Sequence, residues 1–431
     1  MATNFSLDSW LGGFICGLSG KPSPVVTRAL IRSRESHQGI IPDGATYYVN
    51  MIEKQMGYYS NYKAKLTAGD TFPDTPTIGD VYVYQDYEYR YGMRKSPIYS
   101  ATWEKDTMVN GWGVMSLDKT KVAYPPILES INGHNVVCIC GAFSGCANMT
   151  SIPRIPFAIT MASESFEDCL NLTVGVLPPN TCYVQESFEG CEKLKIGIIP
   201  NGVTTLRSTF SGCTLLESVI MPDTVTGLYG TFSGCEELKR ITIPDGVTRI
   251  DASTFSGCRK LESMKLPSNL TYIGSYAFSS CQSIKEIVIP HTVRTIDRYA
   301  FYNCSSLEKV TILGNVSEIP YSVFYGCSSL KSVELPQSVT TILNGAFEAC
   351  SSLRDIIIPA NVNKILYSVF KGCSSLSIVT MMSEIPPTLR DTTFSECLNL
   401  TQIIVPKGCA DAYKTAAYWS EYADIIVEQE G

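Results

Sequence analysis

Thiols are the reactive groups this chain carries in quantity. Its 431 residues include 17 cysteines but only three histidines, His37, His134 and His291. A thiolate can serve as nucleophile, metal ligand or disulfide partner, and each role needs particular neighbours. So few histidines nearly exclude a His-rich metal site. Cys138-x-Cys140, with Cys146 and His134 nearby, is the grouping closest to a zinc set. Its one-residue gap is shorter than a zinc knuckle needs, and simple alternation along a strand accounts for it. No Gly-x-Ser-x-Gly elbow, Walker loop or His-Glu-x-x-His helix occurs. No catalytic, cofactor-binding or metal-ligating residue is therefore nominated, and the chain reads as a non-enzyme.

The cysteines instead keep a beat. Phenylalanine stands three residues before cysteine at Phe143/Cys146, Phe166/Cys169, Phe188/Cys191, Phe210/Cys213, Phe232/Cys235 and Phe255/Cys258. The pairing continues at Phe278/Cys281, Phe301/Cys304, Phe324/Cys327, Phe347/Cys350, Phe370/Cys373 and Phe394/Cys397, twelve copies spaced 22 to 24 residues apart. An apolar residue follows three after each cysteine, as at Leu238, Ile284 and Leu330. A β-rich run such as Glu286-Ile287-Val288-Ile289 comes next, and most runs end in proline, as at Pro244, Pro290 and Pro359. Proline has no N–H to give a ladder and so ends the strand. A second apolar pair, such as Val247/Ile250, then leads to the next phenylalanine.

A period of this length with one short strand per cycle specifies a solenoid. One repeat cannot bury its own apolar side, whereas stacked repeats place equivalent residues about 4.8 Å apart in unbroken columns. Each ring of the phenylalanine column would contribute roughly 1.5–3 kcal/mol of burial. The cysteine column reads as small, soft, buried packing. Disulfides between repeats are the competing reading, but in-register side chains point the same way, which suits S–S geometry poorly.

The run Leu330-Lys331-Ser332-Val333-Glu334-Leu335-Pro336, followed by Val339, Ile342 and Phe347, resembles the BspA-like leucine-rich repeat. The likeness extends over about residues 137–405. It implies a curved solenoid with a parallel β-sheet on its concave side. Departures at Ile152-Pro153-Arg154-Ile155-Pro156, and at Gly314 and Met382 in place of proline, predict uneven curvature or adapted ends. After the array, Tyr413, Ala416, Ala417 and Trp419 give a short amphipathic helix before Asp424-Ile425-Ile426-Val427. This resembles the helix-plus-strand cap that closes such arrays and keeps a sheet edge from being left open.

Counting from cysteine, strand positions six and eight are expected inward and positions four, five and seven outward. Position four reads Lys195, Glu217, Lys239, Glu262, Lys285, Glu308, Lys331, alternating in sign. That pattern fits a register-fixing charge ladder or a charged ligand track. Positions five and seven are apolar early, at Val174, Val176, Ile196, Ile198 and Ile220, and mixed later, with Arg240, Lys265, Glu286, Lys309, Glu334 and Asp355. These eleven residues are the candidate partner-binding set, since an exposed apolar patch marks an interface. Equally, Gly175 and Gly197 could signal a local inside–outside shift that makes the early residues core.

Before the array the composition changes. Residues 1–25 are read as an attachment segment, with Trp10, Phe14 and Leu18 along a short amphipathic helix that docks to a partner or folds back on its own chain. Residues 26–75 are read as mixed linker and helix, because Tyr48, Met51, Ile52 and Met56 have helix-like spacing. Residues 76–135 are read as a small β-rich module. Val81–Tyr84 and Tyr87–Tyr91 flank Gln85-Asp86 as a hairpin, whose tyrosine row could pack a sheet or stack on sugars. The array occupies 136–406, begun by the strand Val136–Cys140, and the cap 407–431.

The start Phe5-Ser6-Leu7-Asp8-Ser9-Trp10-Leu11, followed by Gly17-Leu18-Ser19-Gly20-Lys21-Pro22, resembles the first residues of some proteins encoded by gut bacteriophages and prophages. Gly79–Tyr91, with Gly111-Trp112-Gly113-Val114 after it, is similar to the module that precedes such repeats there. The resemblance implies a virion component, a tail or fibre protein. It would join other virion proteins through its N-terminal region and hold a host surface protein or glycan through the repeats, as a monomer or homo-oligomer.

The alternative is a bacterial cell-surface adhesin of the same repeat family, which needs an export route. Met1–Leu18 carries no lysine or arginine and its apolar stretch is broken by Gly12, Gly13 and Gly17, so no signal peptide is expected and production in a bacterial cytoplasm follows. The net charge of −7 offers no basic surplus for nucleic acid. No run approaches the roughly 18 apolar residues of a membrane span.

Overall fold

The computed structural model describes residue 76, residues 80–95, 103–105 and 111–430, and three earlier strands in backbone outline. It divides into two compact units, residues 1–203 and 204–431. In the first unit the strands are β1 (Ser36–His37), β2 (Thr46–Met51), β3 (Tyr62–Leu66), β4 (Val81–Tyr84), β5 (Tyr87–Tyr91), β6 (Met93–Lys95), β7 (Trp103–Lys105), β8 (Trp112–Ser116), β9 (Ser130–Ile131), β10 (His134–Cys138), β11 (Val174–Val176) and β12 (Ile196–Ile198). Eight of them form one sheet in the order β1-β9-β10-β8-β5-β4-β2-β3.

Where residues 26–75 are described, strands stand in place of the expected helix. β2 and β3 pair antiparallel, Tyr47 opposite Leu66 and Val49 opposite Ala64. Thr46-Tyr47-Tyr48-Val49 is β-branched and aromatic, and such residues favour a pleated sheet over a helix. The β4–β5 hairpin forms as read, with Tyr84 opposite Tyr87 and Gln85 in the left-handed region its tight turn needs. Tyr82, Tyr87 and Tyr89 are fully buried, so this row packs the sheet.

β10 ties that sheet to the repeats. It lies parallel to β8, and Cys138 bridges in parallel to Met161, which bridges to Tyr183. The rings of Phe143, Phe166 and Phe188 stack at 5.3 and 5.5 Å, within 9° of parallel. Tyr124 meets Phe143 edge-on at 5.2 Å, and Tyr87 does so at 6.0 Å. An edge-on ring closes the stack where no further phenylalanine follows.

The second unit holds β13 (Thr205–Arg207), β14 (Ser218–Ile220), β15 (Gly227–Tyr229), β16 (Arg249–Ile250), β17 (Tyr272–Ile273), β18 (Glu286–Ile289), β19 (Thr295–Ile296), β20 (Lys309–Ile312), β21 (Glu318–Ile319), β22 (Ser332–Glu334), β23 (Thr341–Ile342), β24 (Asp355–Ile358), β25 (Lys364–Ile365), β26 (Ile378–Met381), β27 (Gln402–Val405) and β28 (Ile426–Glu428). They alternate between two strand systems. The strands after each cysteine form parallel sheets β18-β20-β22 and β24-β26-β27-β28. The two- and three-residue strands before each phenylalanine form β13-β15-β16-β17-β19 and β21-β23-β25. This is the predicted solenoid with parallel sheets.

Most turns are punctuated alike. The proline carbonyl accepts the N–H three residues on, as Pro244 does from Val247 and Pro290 from Val293, and the valine is buried. Two positions per turn are left-handed, the residue one before cysteine and the residue two before phenylalanine, except at Thr392 in the last turn. Glycine fills many of the former. At Gly326 (φ +70°) an added Cβ would lie 2.2 Å from Asn303 Oδ1, so a side chain there would require the asparagine of the neighbouring turn to swing aside.

Where proline is missing the ladder lengthens. Leu313, rather than Gly314, occupies the ninth position after its cysteine, and its N–H donates to Ile289 O at 3.0 Å. Met382 N–H does the same to Ile358 O at 3.0 Å. From Phe210 to Phe394 the rings stack at 5.2–5.8 Å. Tyr422 closes that column edge-on at 5.4 Å. The cap is α1 (Ala410–Thr415), a 3₁₀ helix (Trp419–Ile425) and β28 parallel to β27. Tyr413 OH donates to Ser383 O and Trp419 Nε1 to Pro387 O, pinning both buried rings.

Candidate binding faces

The thiols come first, because they were the candidate chemistry. Every cysteine of the described residues is free. Those of the repeat are more than packing: Cys235 Sγ lies 3.2 Å from Phe210 O, Cys281 Sγ 3.1 Å from Phe255 O, and Cys397 Sγ 3.0 Å from Phe370 O, each carbonyl one turn back. In the first unit Cys169 and Cys191 bond Phe143 O and Phe166 O in the same way. Cys146 instead accepts from Tyr124 OH at 3.2 Å. In these turns the thiol is thus a second donor to a phenylalanine carbonyl that already accepts the N–H of the cysteine three residues on, as Phe210 O does from Cys213. Sequence reasoning missed this; the signal was the fixed three-residue offset from phenylalanine. Burial pushes the thiols of Cys258, Cys281 and Cys350 well up and that of Cys397 to about 12, so they are poor nucleophiles.

The outward positions are as the count from cysteine predicts in β18, β20 and β24, where burial alternates out-in-out-in. Arg240, Lys265, Glu286, Lys309, Glu334 and Asp355 are all exposed. Lys309 pairs with Glu334 at 3.5 Å, and Arg240 with Glu262 at 3.7 Å. The position-four ladder closes at Glu308–Lys331, 2.5 Å, and the Lys331 ammonium holds the Glu308 carboxyl below its ordinary range. Glu262 takes Arg240 as its partner, so the ladder steps sideways there.

The early apolar candidates fare differently. Val174, Val176 and Ile196 are half-buried, Ile220 is half-buried in the second unit, and Ile198 is only 3% exposed and offers nothing to a partner. Gly175 does not signal an inside–outside shift. It occupies the inward position, where an added Cβ would meet the Phe188 ring at 2.9 Å, so the ring fills the space a valine takes elsewhere. The better-exposed apolar residues lie later, and their register was already visible as alternation in the sequence. Val288 is 54% exposed and Ile357 60%. Ile357 lies in a row with Thr380, Ile404 and Val427 across four parallel strands. Trp10, Phe14 and Leu18 lie outside the described residues. Among the described residues no helix is long and apolar enough to cross a membrane.

Comparison with known proteins agrees with this geometry. The family pattern for the BspA type leucine rich repeat region, in six copies, matches residues 128–230, 228–353 and 294–423. A leucine-rich repeat protein from Bacteroides ovatus is 28% identical, with a TM-score of 0.50, covering 81% of this chain and 99% of that one. A leucine rich cell surface protein from Faecalibacterium prausnitzii is 22% identical (TM-score 0.42), covering 83% of this chain and 100% of that one. The pneumococcal vaccine antigen PcpA is 15% identical (TM-score 0.47), covering 82% and 100%. The last two likenesses speak to the fold alone. No curated protein sequence matches the chain.

Proposed function

Because the chain belongs to the BspA-type leucine-rich repeat family, we propose that it is a non-enzymatic adhesin of a bacterial surface that holds a partner protein on the outward rows of β18 to β27. The observation that carries this reading is internal to the chain. The inward columns repeat the same phenylalanine, cysteine and aliphatic residues turn after turn. The outward row instead runs Val288, Thr311, Glu334 on one sheet and Ile357, Thr380, Ile404 on the next. Exposed aliphatic side chains held in rows on a rigid sheet and rimmed by charges support a protein-interaction surface. Many copies on one cell would multiply weak contacts.

The test uses intact bacteria producing the full chain. External protease should cleave it, and the cells should adhere to a host-cell monolayer, lose that adhesion when the monolayer is pretreated with protease, and lose it with V288D/I357D. A chain confined to the cytosolic fraction, or adhesion indifferent to the double variant, would overturn the reading. The second reading is a phage tail or fibre component. Its support is the likeness of Phe5–Leu11 and Gly17–Pro22 to phage-encoded proteins, and co-purification with particles would favour it.

A further inference from the structure

The other strand system of the second unit has a different exterior. In the sheet β13-β15-β16-β17-β19 the inward residues are Leu206, Leu228, Ile250, Ile273 and Ile296, all buried. One outward row aligns Thr205, Gly227, Arg249, Tyr272 and Thr295; beside it Arg207 pairs with Tyr229. These rows contain no aliphatic side chain.

Arg249 is held in one pose. Its guanidinium lies 3.9 Å from the centroid of the Tyr272 ring and donates to Asp251 Oδ1 at 3.0 Å. Tyr272 OH donates in turn to Asp297 Oδ2 at 3.1 Å, and Asp297 Oδ1 accepts the Arg298 N–H at 2.9 Å. Both carboxylates of this face are therefore engaged from within. Asp251 is only 8% exposed, and its Oδ2 has no hydrogen-bond partner among the described residues, so it acts as a positioning residue for Arg249. Tyr229, 44% exposed, stands opposite Arg207 on one neighbouring strand and diagonal to Arg249, which is opposite Gly227, on the other. An added Cβ at Gly227 would come within 3.3 Å of its ring, so glycine keeps that ring uncrowded. Arg294 and Arg298 are exposed on the neighbouring turn. With Asp251 and Asp297 already paired within the strip, Arg207 and Arg249 present guanidiniums beside tyrosine rings, while the exposed carboxylates of Asp223, Asp245 and Glu318 lie on flanking turns.

We propose that the strip Arg207–Tyr229–Arg249–Tyr272 binds an anionic saccharide, a sugar ring lying on the exposed Tyr229 face and its carboxylate or sulfate on the two guanidiniums. Charge complementarity selects an anion, and a planar guanidinium pre-set by Asp251 and Tyr272 suits a bidentate oxyanion. An acidic saccharide needs only a ring face and oxyanion donors, both of which the strip supplies, and an acidic peptide is the competing occupant that hexaglutamate tests. The inference does not depend on the adhesin reading, which concerns different residues.

Calorimetry on the full chain would use four probes: a heparin hexasaccharide for sulfate, trigalacturonate for carboxylate, neutral cellohexaose, and a hexaglutamate peptide. The expected result is binding of one or both acidic saccharides and not of cellohexaose. Tyr229→Ala and Arg249→Gln should each weaken it at least about tenfold. Tyr229→Phe, which keeps the ring, should retain affinity, and Ile357→Asp should leave it unchanged. Which acidic saccharide binds tells sulfate from carboxylate recognition. The proposal is overturned if neither binds, if hexaglutamate binds as tightly, or if Tyr229→Ala has no effect while Tyr229→Phe melts as the parent does.

Discussion

The two strand systems of the second unit share one interior and differ outside. Strands after each cysteine present aliphatics and ion pairs, such as Ile357 and Lys309–Glu334. Strands before phenylalanine present tyrosine, arginine and threonine from β13 to β19, and Glu318, Thr341 and Lys364 from β21 to β25. Both rest on the same stacked rings and thiols. Stability in a solenoid of this kind is carried by columns, so the outward rows of each face are free to specialise separately.

Damage to the interior should therefore strike both faces, and damage to a row only one. The largest effect is alkaline. The folded pKa of the buried thiols lies above the unfolded value near 9, because burial disfavours the thiolate. Their contribution is complete below pH 9 and is lost as pH rises through the folded values, at about 1.4 kcal/mol per pH unit for each thiol. Thermal melts should fall steeply above pH 9, and Cys281→Ala should make the fall shallower.

Next comes Phe278→Ala, which removes a fully buried ring from mid-column and should cost about 3–5 kcal/mol in denaturant titrations. Both binding assays should weaken together. Gly326→Ala puts a Cβ on Asn303 Oδ1 at a left-handed position and should cost about 1–3 kcal/mol. Combining it with Asn303→Gly should recover the part due to the clash, as a double-mutant cycle would report. The smallest stability effects, within about 0.5 kcal/mol, belong to Ile357→Asp and Tyr229→Ala. Ile356→Asp, one residue inward, should by contrast unfold its turn. If Ile357→Asp were as damaging as Ile356→Asp, the separation of interior and exterior would be wrong.

Much of this was legible because repetition does the work of an alignment. The phenylalanine, cysteine and leucine columns, the proline stops and the alternation in β18 and β24 all follow from spacing. What was not legible came from contacts between turns. The thiol-to-carbonyl bonds, the ring of Phe188 filling the space over Gly175, and the burial of Ile198 depend on what the adjacent turn supplies. Helix-like spacing at Tyr48 and Met51 misled because cross-strand pairing, invisible in a local window, decides β2 and β3. The binding candidates were chosen for apolar character in the early repeats. The guanidinium–tyrosine strip escaped notice because its members are one or two per repeat and meet only when the turns stack.

The thiol column bears on where such a protein can endure. The S–H groups of Cys258, Cys281 and Cys304 point along the array to a carbonyl one turn back, away from solvent. Peroxides and disulfide catalysts act on thiolates they can reach, and these sulfurs are neither ionised nor reachable. A folded copy would keep the fully buried cysteines of the column reduced in aerated surroundings without any reductant, a protection that exposed Cys182 and partly buried Cys397 and Cys409 do not share.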